Sequence, residues 1–199
     1  MDLLHALDLL STFIFALVGA RIAADRGLDY GGITFIATIA SISGGTLRNV
    51  FLGSKPVWIT DPWIIASVLA AVALTLTFRR VTHVGKTLLA MDTFALATAT
   101  MSGTQLAIEI NIPWYSCIIL GVITAVTGGL LRDVLCQVEP VLLHRETIGT
   151  SALVGAATFV ALISLGVAEL PAVLAGGFLV IMTRVISIQF DLHLPKFVK

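Results

Sequence analysis

Long apolar segments alternate with short polar breaks along the whole chain. A helix that spans a bilayer needs about 20 mostly apolar residues, and seven segments meet that requirement. The breaks contain charged and turn residues, such as Arg26-Gly27 and Lys55-Pro56, and none is long enough for a soluble domain. The predicted spans are residues 6–24, 30–53, 62–78, 87–107, 113–137, 146–166 and 170–188.

The composition indicates that lipid, rather than water, surrounds most of the surface. Hydrophobic residues make up 57% of the chain and charged residues 12%, whereas soluble domains carry about 25% charged residues. We therefore predict an all-α integral membrane protein, with residues 1–199 forming a single membrane domain. The formal net charge is zero, so no nucleic-acid partner is expected.

The residue types that carry out catalysis or bind metals lack suitable spacing. Cys117 and Cys136 lie in apolar segments without the Cys and His partners of a metal site. The four histidines are scattered over breaks and chain ends. We predict no enzymatic activity, no metal and no cofactor.

Basic residues are distributed unequally between the two sides of the predicted bundle. One side receives eight of them and the other receives only Lys55, apart from three arginines within spans. Because basic residues favour the cytoplasmic side, we predict a multi-pass protein of the inner (plasma) membrane, with its N-terminus outside and its C-terminus in the cytoplasm. The eight residues are Arg21, Arg26, Arg79, Arg80, Lys86, Arg145, Lys196 and Lys199.

The sequence repeats itself without gaps at an offset of 84 residues. Asp8 aligns with Asp92, Leu47-Arg48 with Leu131-Arg132, and Pro56 with Pro140; the glycine pairs Gly44-Gly45 and Gly128-Gly129 also align. We predict one repeat over residues 6–83, a second over 90–167, and a seventh helix over 170–188. An odd number of spans in each copy makes the copies inverted, a plan that many transporters share, with sites near the midplane.

Two polar motifs lie inside predicted spans at equivalent places, and they carry the candidate pore and gate residues. Paired glycines predict kinks, although small residues also permit close helix packing. The hydroxyl groups are expected either to line a polar conduit or to bond to carbonyl groups of their own helix. The candidates are Ser41, Ser43, Gly44, Gly45, Thr46, Arg48, Asn49, Thr127, Gly128, Gly129, Arg132 and Asp133.

An arginine near the middle of a bilayer costs at least about 2.5–3.5 kcal/mol. Arg48 and Arg132 therefore need water, a counter-charge or both, unless they extend to the membrane surfaces. The candidate counter-charges are Asp8, Asp92 and Asp133, but the sequence does not assign them to particular arginines.

From about Leu7 to Ile188, this arrangement of motifs resembles the prokaryotic trimeric intracellular cation (TRIC) channels. The members of that family commonly have three glycines, where this chain has Ser43 or Thr127 in the first place. The resemblance implies a homotrimer with a pore in each subunit, between kinked second and fifth helices, that conducts K⁺ and Na⁺. The same sequence group is also described as small-amino-acid (glycine) transporters, so a secondary carrier that uses the same midplane site is the alternative.

The two arginines conflict with a cation path, because cation channels usually present acidic groups or carbonyl oxygens. Three explanations are open from the sequence. The aspartates neutralise the arginines, the arginines act as movable gates, or the substrate is an anion or zwitterion that binds them.

Overall fold

The computed structural model describes residues 3–78, 85–138 and 147–190, apart from the side chains of Lys86 and Thr147. Within these ranges the chain forms helices joined by turns. The helices are α1 (Leu3–Asp25), α2 (Tyr30–Phe51), α3 (Val57–Thr60), α4 (Pro62–Thr77), α5 (Gly85–Glu109), α6 (Trp114–Leu135), α7 (Thr147–Ser164) and α8 (Glu169–Gln189).

Local sequence signals fix several helix starts. The Asp29 carboxylate accepts a hydrogen bond from the Gly32 backbone N–H at 2.7 Å and caps α2. The Asp61 carboxylate caps α4 in the same way, with Pro62 at the first helical position. Pro113 immediately precedes α6.

Residues with a left-handed backbone conformation follow the helices at equivalent positions of the two repeats, even where the amino acids differ. After α1 and α5, Gly27 and Asn111 have φ values of 76° and 57°. After α2 and α6, Gly53 and Gln137 have φ values of 64° and 51°. Each pair is separated by the 84-residue offset. The backbone thus preserves the repeat at turns where the second copy has lost the glycine.

The helices pack as two similar groups that meet along their centre. Helix α1 packs against α2 and α4, and α5 packs in the same way against α6 and α7. The groups join through α1 with α5 and α2 with α6, while α8 packs on α5 and α7. Among the described residues, α1, α2, α6 and α8 are each long and apolar enough to cross a membrane.

Each predicted span contains one long helix, and the short α3 lies in a predicted break. Some earlier predictions fall outside the described residues, namely Pro140, the last residues of repeat one, and five of the basic residues used for orientation. Those five are Arg79, Arg80, Arg145, Lys196 and Lys199.

Candidate functional site

The first buried charge cluster joins α1 and α2. Arg48 Nη1 and Nη2 donate to Asp8 Oδ1 and Oδ2 at 3.0 and 3.1 Å, which makes a bidentate ion pair. Arg48 Nε donates to Asn49 Oδ1 at 2.9 Å. The Arg48 side chain is completely buried, so these contacts replace the water that it lacks.

Ser102, on α5, completes the first cluster from the other half of the chain. Its hydroxyl accepts from Arg48 Nη1 at 2.7 Å and donates to Asp8 Oδ1. Arg48 therefore makes hydrogen bonds through all three of its nitrogens, and its carboxylate partner is held in place by a second donor.

The second buried cluster joins α5, α6 and α8. Arg132 Nη1 donates to Asp92 Oδ1 at 2.7 Å, and its Nε and Nη2 lie 2.8 Å from Asp133 Oδ1. From α8, Arg184 Nη2 reaches Asp92 Oδ2 at 3.3 Å, and Arg184 Nε donates to Thr93 Oγ1 at 3.1 Å. Asp92 thus bridges two arginines.

Each cluster is formally neutral, although the two reach neutrality differently. The Arg48 cluster has one arginine and one aspartate, with neutral Asn49 beside them. In the Arg132 cluster, Asp133 occupies the position equivalent to Asn49, and Arg184 supplies the matching positive charge. The central Asp–Arg pairs are separated by 40 residues in both copies.

The two glycines of each pair have different surroundings. A methyl group added at Gly44 would overlap the carbonyl oxygen of Thr124, and one at Gly128 would overlap that of Ala40. These are equivalent contacts, so α2 and α6 cross with their backbones touching. The second glycines, Gly45 and Gly129, instead face the arginine guanidinium groups.

The helices run without interruption through both glycine pairs. The close crossing at the first glycine of each pair agrees with the packing interpretation. The kinks predicted from the glycine pairs stay a prediction.

Most of the candidate hydroxyl groups bond to carbonyl oxygens of their own helix. Ser41 donates to Ala37 at 2.8 Å, Thr46 to Ile42 at 2.7 Å and Thr127 to Ile123 at 2.6 Å. Thr46 also accepts from the Trp58 indole at 3.0 Å. Ser43 Oγ is buried and has no hydrogen-bond partner among the described residues.

Three cavities lie beside α1 and share lining residues. The mouth, of about 490 Å³, opens beside His5, Asp8, Gln105, Glu109 and Glu169. The first cavity, of about 30 Å³, surrounds Asp8 and Arg48, while the second, of about 20 Å³, surrounds Asp92 and Arg132. Asp8 lines both the mouth and the first cavity, and Phe15 lines both the first and the second.

The candidate residues thus fall into two clusters and one helix crossing. Sequence reasoning did not single out Ser102, Thr93 or Phe15, and it gave no role to Arg184, one of the three arginines within predicted spans. The change from Asn49 to Asp133 is a signal that could have found Arg184, because an extra buried carboxylate requires an extra cation. Among the described residues, no group of three or more Asp, Glu, His or Cys side chains is arranged to hold a metal ion.

The sequence model of a family described as "Glycine transporter" matches residues 5–80 and again residues 89–164. The chain belongs to this family. The two matches to the glycine transporter model begin 84 residues apart, which is the offset of the sequence repeat.

Curated relatives of this chain include bacterial membrane proteins. A UPF0126 membrane protein of Vibrio cholerae is 32% identical over 98% of this chain and 83% of the relative. The UPF0126 inner membrane protein YadS of Escherichia coli is 28% identical over 98% of this chain and 96% of its own length.

Solved structures of cation channels share the fold. The TRIC trimeric intracellular cation channel orthologue from Rhodobacter sphaeroides is 30% identical, with a TM-score of 0.91 over 96% of this chain and all of that one. A second TRIC cation channel, also 30% identical, has a TM-score of 0.84 over 98% of this chain and 97% of its own. The resemblance to TRIC channels is confirmed, and so is the prediction that the chain is not an enzyme.

Proposed function

We propose that this protein is a channel for monovalent cations, K⁺ and Na⁺. It acts as a homotrimer, with a pore inside each subunit between α2 and α6. The observation that carries the proposal is the series of three cavities beside α1, in which neighbouring cavities share the lining residues Asp8 and Phe15. The similarity to TRIC cation channels supports the same function.

The contacts of the buried arginines remove the main objection to a cation path. Arg48 and Arg132 each have a carboxylate partner within 3.0 Å, and both clusters are formally neutral. A passing cation therefore meets balanced charges rather than an isolated positive charge. The carboxylates of Glu109 and Glu169 at the mouth add a negative potential that attracts cations.

A carrier for a small amino acid is the alternative, and the description of the family favours it. In this conformation, however, protein carboxylates already occupy the guanidinium groups that a substrate carboxylate would need. The first and second cavities, of about 30 and 20 Å³, have room for about one water molecule each, which is too little room for an amino acid. The geometry therefore favours the channel.

We also propose the inverted membrane topology, with the N-terminus outside and the C-terminus in the cytoplasm of a bacterial inner membrane. Seven spans, α1, α2 and α4 to α8, would form two inverted three-helix units and a final helix. The equivalent crossings at Gly44 and Gly128, together with the equivalent left-handed turns, support a two-fold relation between the units. Labelling of single cysteines introduced at Lys55 and at Arg26 from each side of the membrane tests the orientation.

Recording from the purified protein in planar bilayers under a K⁺ gradient tests the function. Discrete current steps that reverse near the K⁺ equilibrium potential are expected, and replacing K⁺ with Na⁺ on one side gives the selectivity. Folded protein that gives no current but takes up glycine saturably in liposomes would establish the carrier instead. The mass of the protein in detergent solution, measured by light scattering, tests the trimer.

A further inference from the structure

The first and second cavities are built from equivalent positions of the two repeats. Asp8, Gly45 and Arg48 line the first, and their equivalents Asp92, Gly129 and Arg132 line the second. Of the remaining equivalent positions, two pairs are apolar in both cavities (Ile42 and Val126, Ile64 and Ile148), and four pairs change from small or hydroxyl-bearing in the first cavity to apolar in the second. The four pairs that change are Thr12 and Leu96, Ser41 and Ala125, Thr46 and Leu130, and Ala99 and Phe15.

This difference changes how readily each cavity holds water. A buried water needs two to four polar partners, and small apolar cavities stay dry. The first cavity has hydroxyl groups on several walls, whereas Leu96, Leu130 and Phe15 cover the walls of the second outside its charge cluster. Hydrophobic constrictions of this kind close channels by excluding water.

Phe15 contributes to the linings of both cavities. It is 4% exposed. Its equivalent, Ala99, lines only the first. A phenyl ring on α1 thus lies between the two cavities, where the corresponding position on α5 has only a methyl group.

We propose that Phe15, Leu96 and Leu130 form a water-excluding barrier between the first and second cavities, and that this barrier limits ion flow. The inference rests on the proposed channel function and adds to it the residues that close the path. It assigns different linings to the two halves of the pore: hydroxyl groups line the first, whereas apolar side chains separate the charge cluster of the second from the first.

The repeat itself supplies the substitutions for a test. Phe15→Ala, Leu96→Thr and Leu130→Thr each install the residue found at the equivalent position of the first cavity. Each is expected to raise the mean current through single channels several-fold, with Phe15→Ala giving the largest increase. The reciprocal changes Thr12→Leu and Ala99→Phe are expected to lower it.

Matched controls remove similar side chains from the core. Phe159 is buried, Leu162 is partly buried, and neither lines these cavities. Phe159→Ala and Leu162→Thr should therefore leave the current near the wild-type value. If the wild-type protein conducts and Phe15→Ala and Phe159→Ala give equal currents, the proposed barrier is refuted.

Access of Ag⁺ to single cysteines gives a readout that does not depend on current. In a background without Cys117 and Cys136, one cysteine is placed in the first cavity (Thr12→Cys) or in the second (Val126→Cys). Ag⁺ added on the side of the mouth should react quickly at position 12 and slowly at position 126. Adding Phe15→Ala should speed the reaction at position 126.

The two readouts separate the possible failures. Folded protein without K⁺ current defeats the channel proposal, whatever the Ag⁺ result. A conducting protein whose position 126 reacts as fast as position 12, with Phe15 present, defeats the barrier alone. If Phe15→Ala does not fold, the Leu130→Thr variant answers the same question.

Discussion

The Arg48 and Arg132 regions share one backbone plan but differ in their linings and in how their charges balance. Both place an aspartate and an arginine on adjacent helices, 40 residues apart, beside a glycine pair. The first adds a serine from the other repeat, and the second adds an arginine from the final helix. The positions that the repeats share form the ion pairs and the helix crossing. The positions where they differ give the two cavities different linings.

The largest effect is expected from removing the central carboxylates. Asp8→Asn removes the carboxylate contact of Arg48, and Asp92→Asn removes that of Arg184 while Arg132 keeps its contact with Asp133. Removing one partner of a buried pair costs about 3–5 kcal/mol. The free energy of unfolding, from SDS titration in mixed micelles, should fall by about that amount for each variant, and a loss of less than about 1 kcal/mol for either would contradict this account of the clusters.

Substitutions in the glycine pairs test the helix crossing that the two regions share. Gly44→Ala and Gly128→Ala force α2 and α6 apart and should each destabilise the protein by about 3 kcal/mol. Gly45→Ala and Gly129→Ala have room for the methyl group and should be neutral or stabilising by up to about 1 kcal/mol. The same titration measures all four variants, and similar losses at both glycines of a pair would refute the division of roles.

Ser102 tests the contact that only the first region makes. Its hydroxyl bonds to two charged groups, and hydrogen bonds to charged groups are worth about 1.5–3 kcal/mol. Ser102→Ala should lower the free energy of unfolding by an amount in that range. Ser11→Ala is the control, because Ser11 donates only to a backbone carbonyl at 3.1 Å and should cost less.

A double-mutant cycle tests the charge balance of the second region. Asp133→Asn alone leaves two arginines with one aspartate, and Arg184→Met alone leaves two aspartates with one arginine. Together the changes give the second cluster the composition of the first. Their coupling energy should be favourable, at about 0.5–3 kcal/mol, and additive losses would show that the two charges do not compensate.

Much of the helical arrangement could be predicted from the sequence, because apolar length and short breaks are local properties. The charged members of the clusters could also be named, since a buried arginine needs a counter-charge. The choice among Asp8, Asp92 and Asp133 depends on how helices pack, which one sequence does not contain. Ser102 was missed for the same reason, as its partners lie 54 and 94 residues away.

Phe15 was missed for a different reason. Aligning the two repeats draws attention to positions with identical residues, whereas Phe15 and Ala99 are equivalent positions with different residues. Mismatches such as Thr12 with Leu96 were readable from the sequence. Their meaning needed the structure, which shows that these positions face the same pair of cavities.

The pairing within each repeat also has a consequence for synthesis of the protein. Because Asp8 and Arg48 lie on the first two long helices, this hairpin can enter the bilayer with its charges already matched. The second half still carries the extra carboxylate of Asp133 after α6 has been made, and Arg184 arrives only with α8. Insertion of the last helix therefore completes the charge balance, so a chain truncated before it would retain an unmatched buried carboxylate.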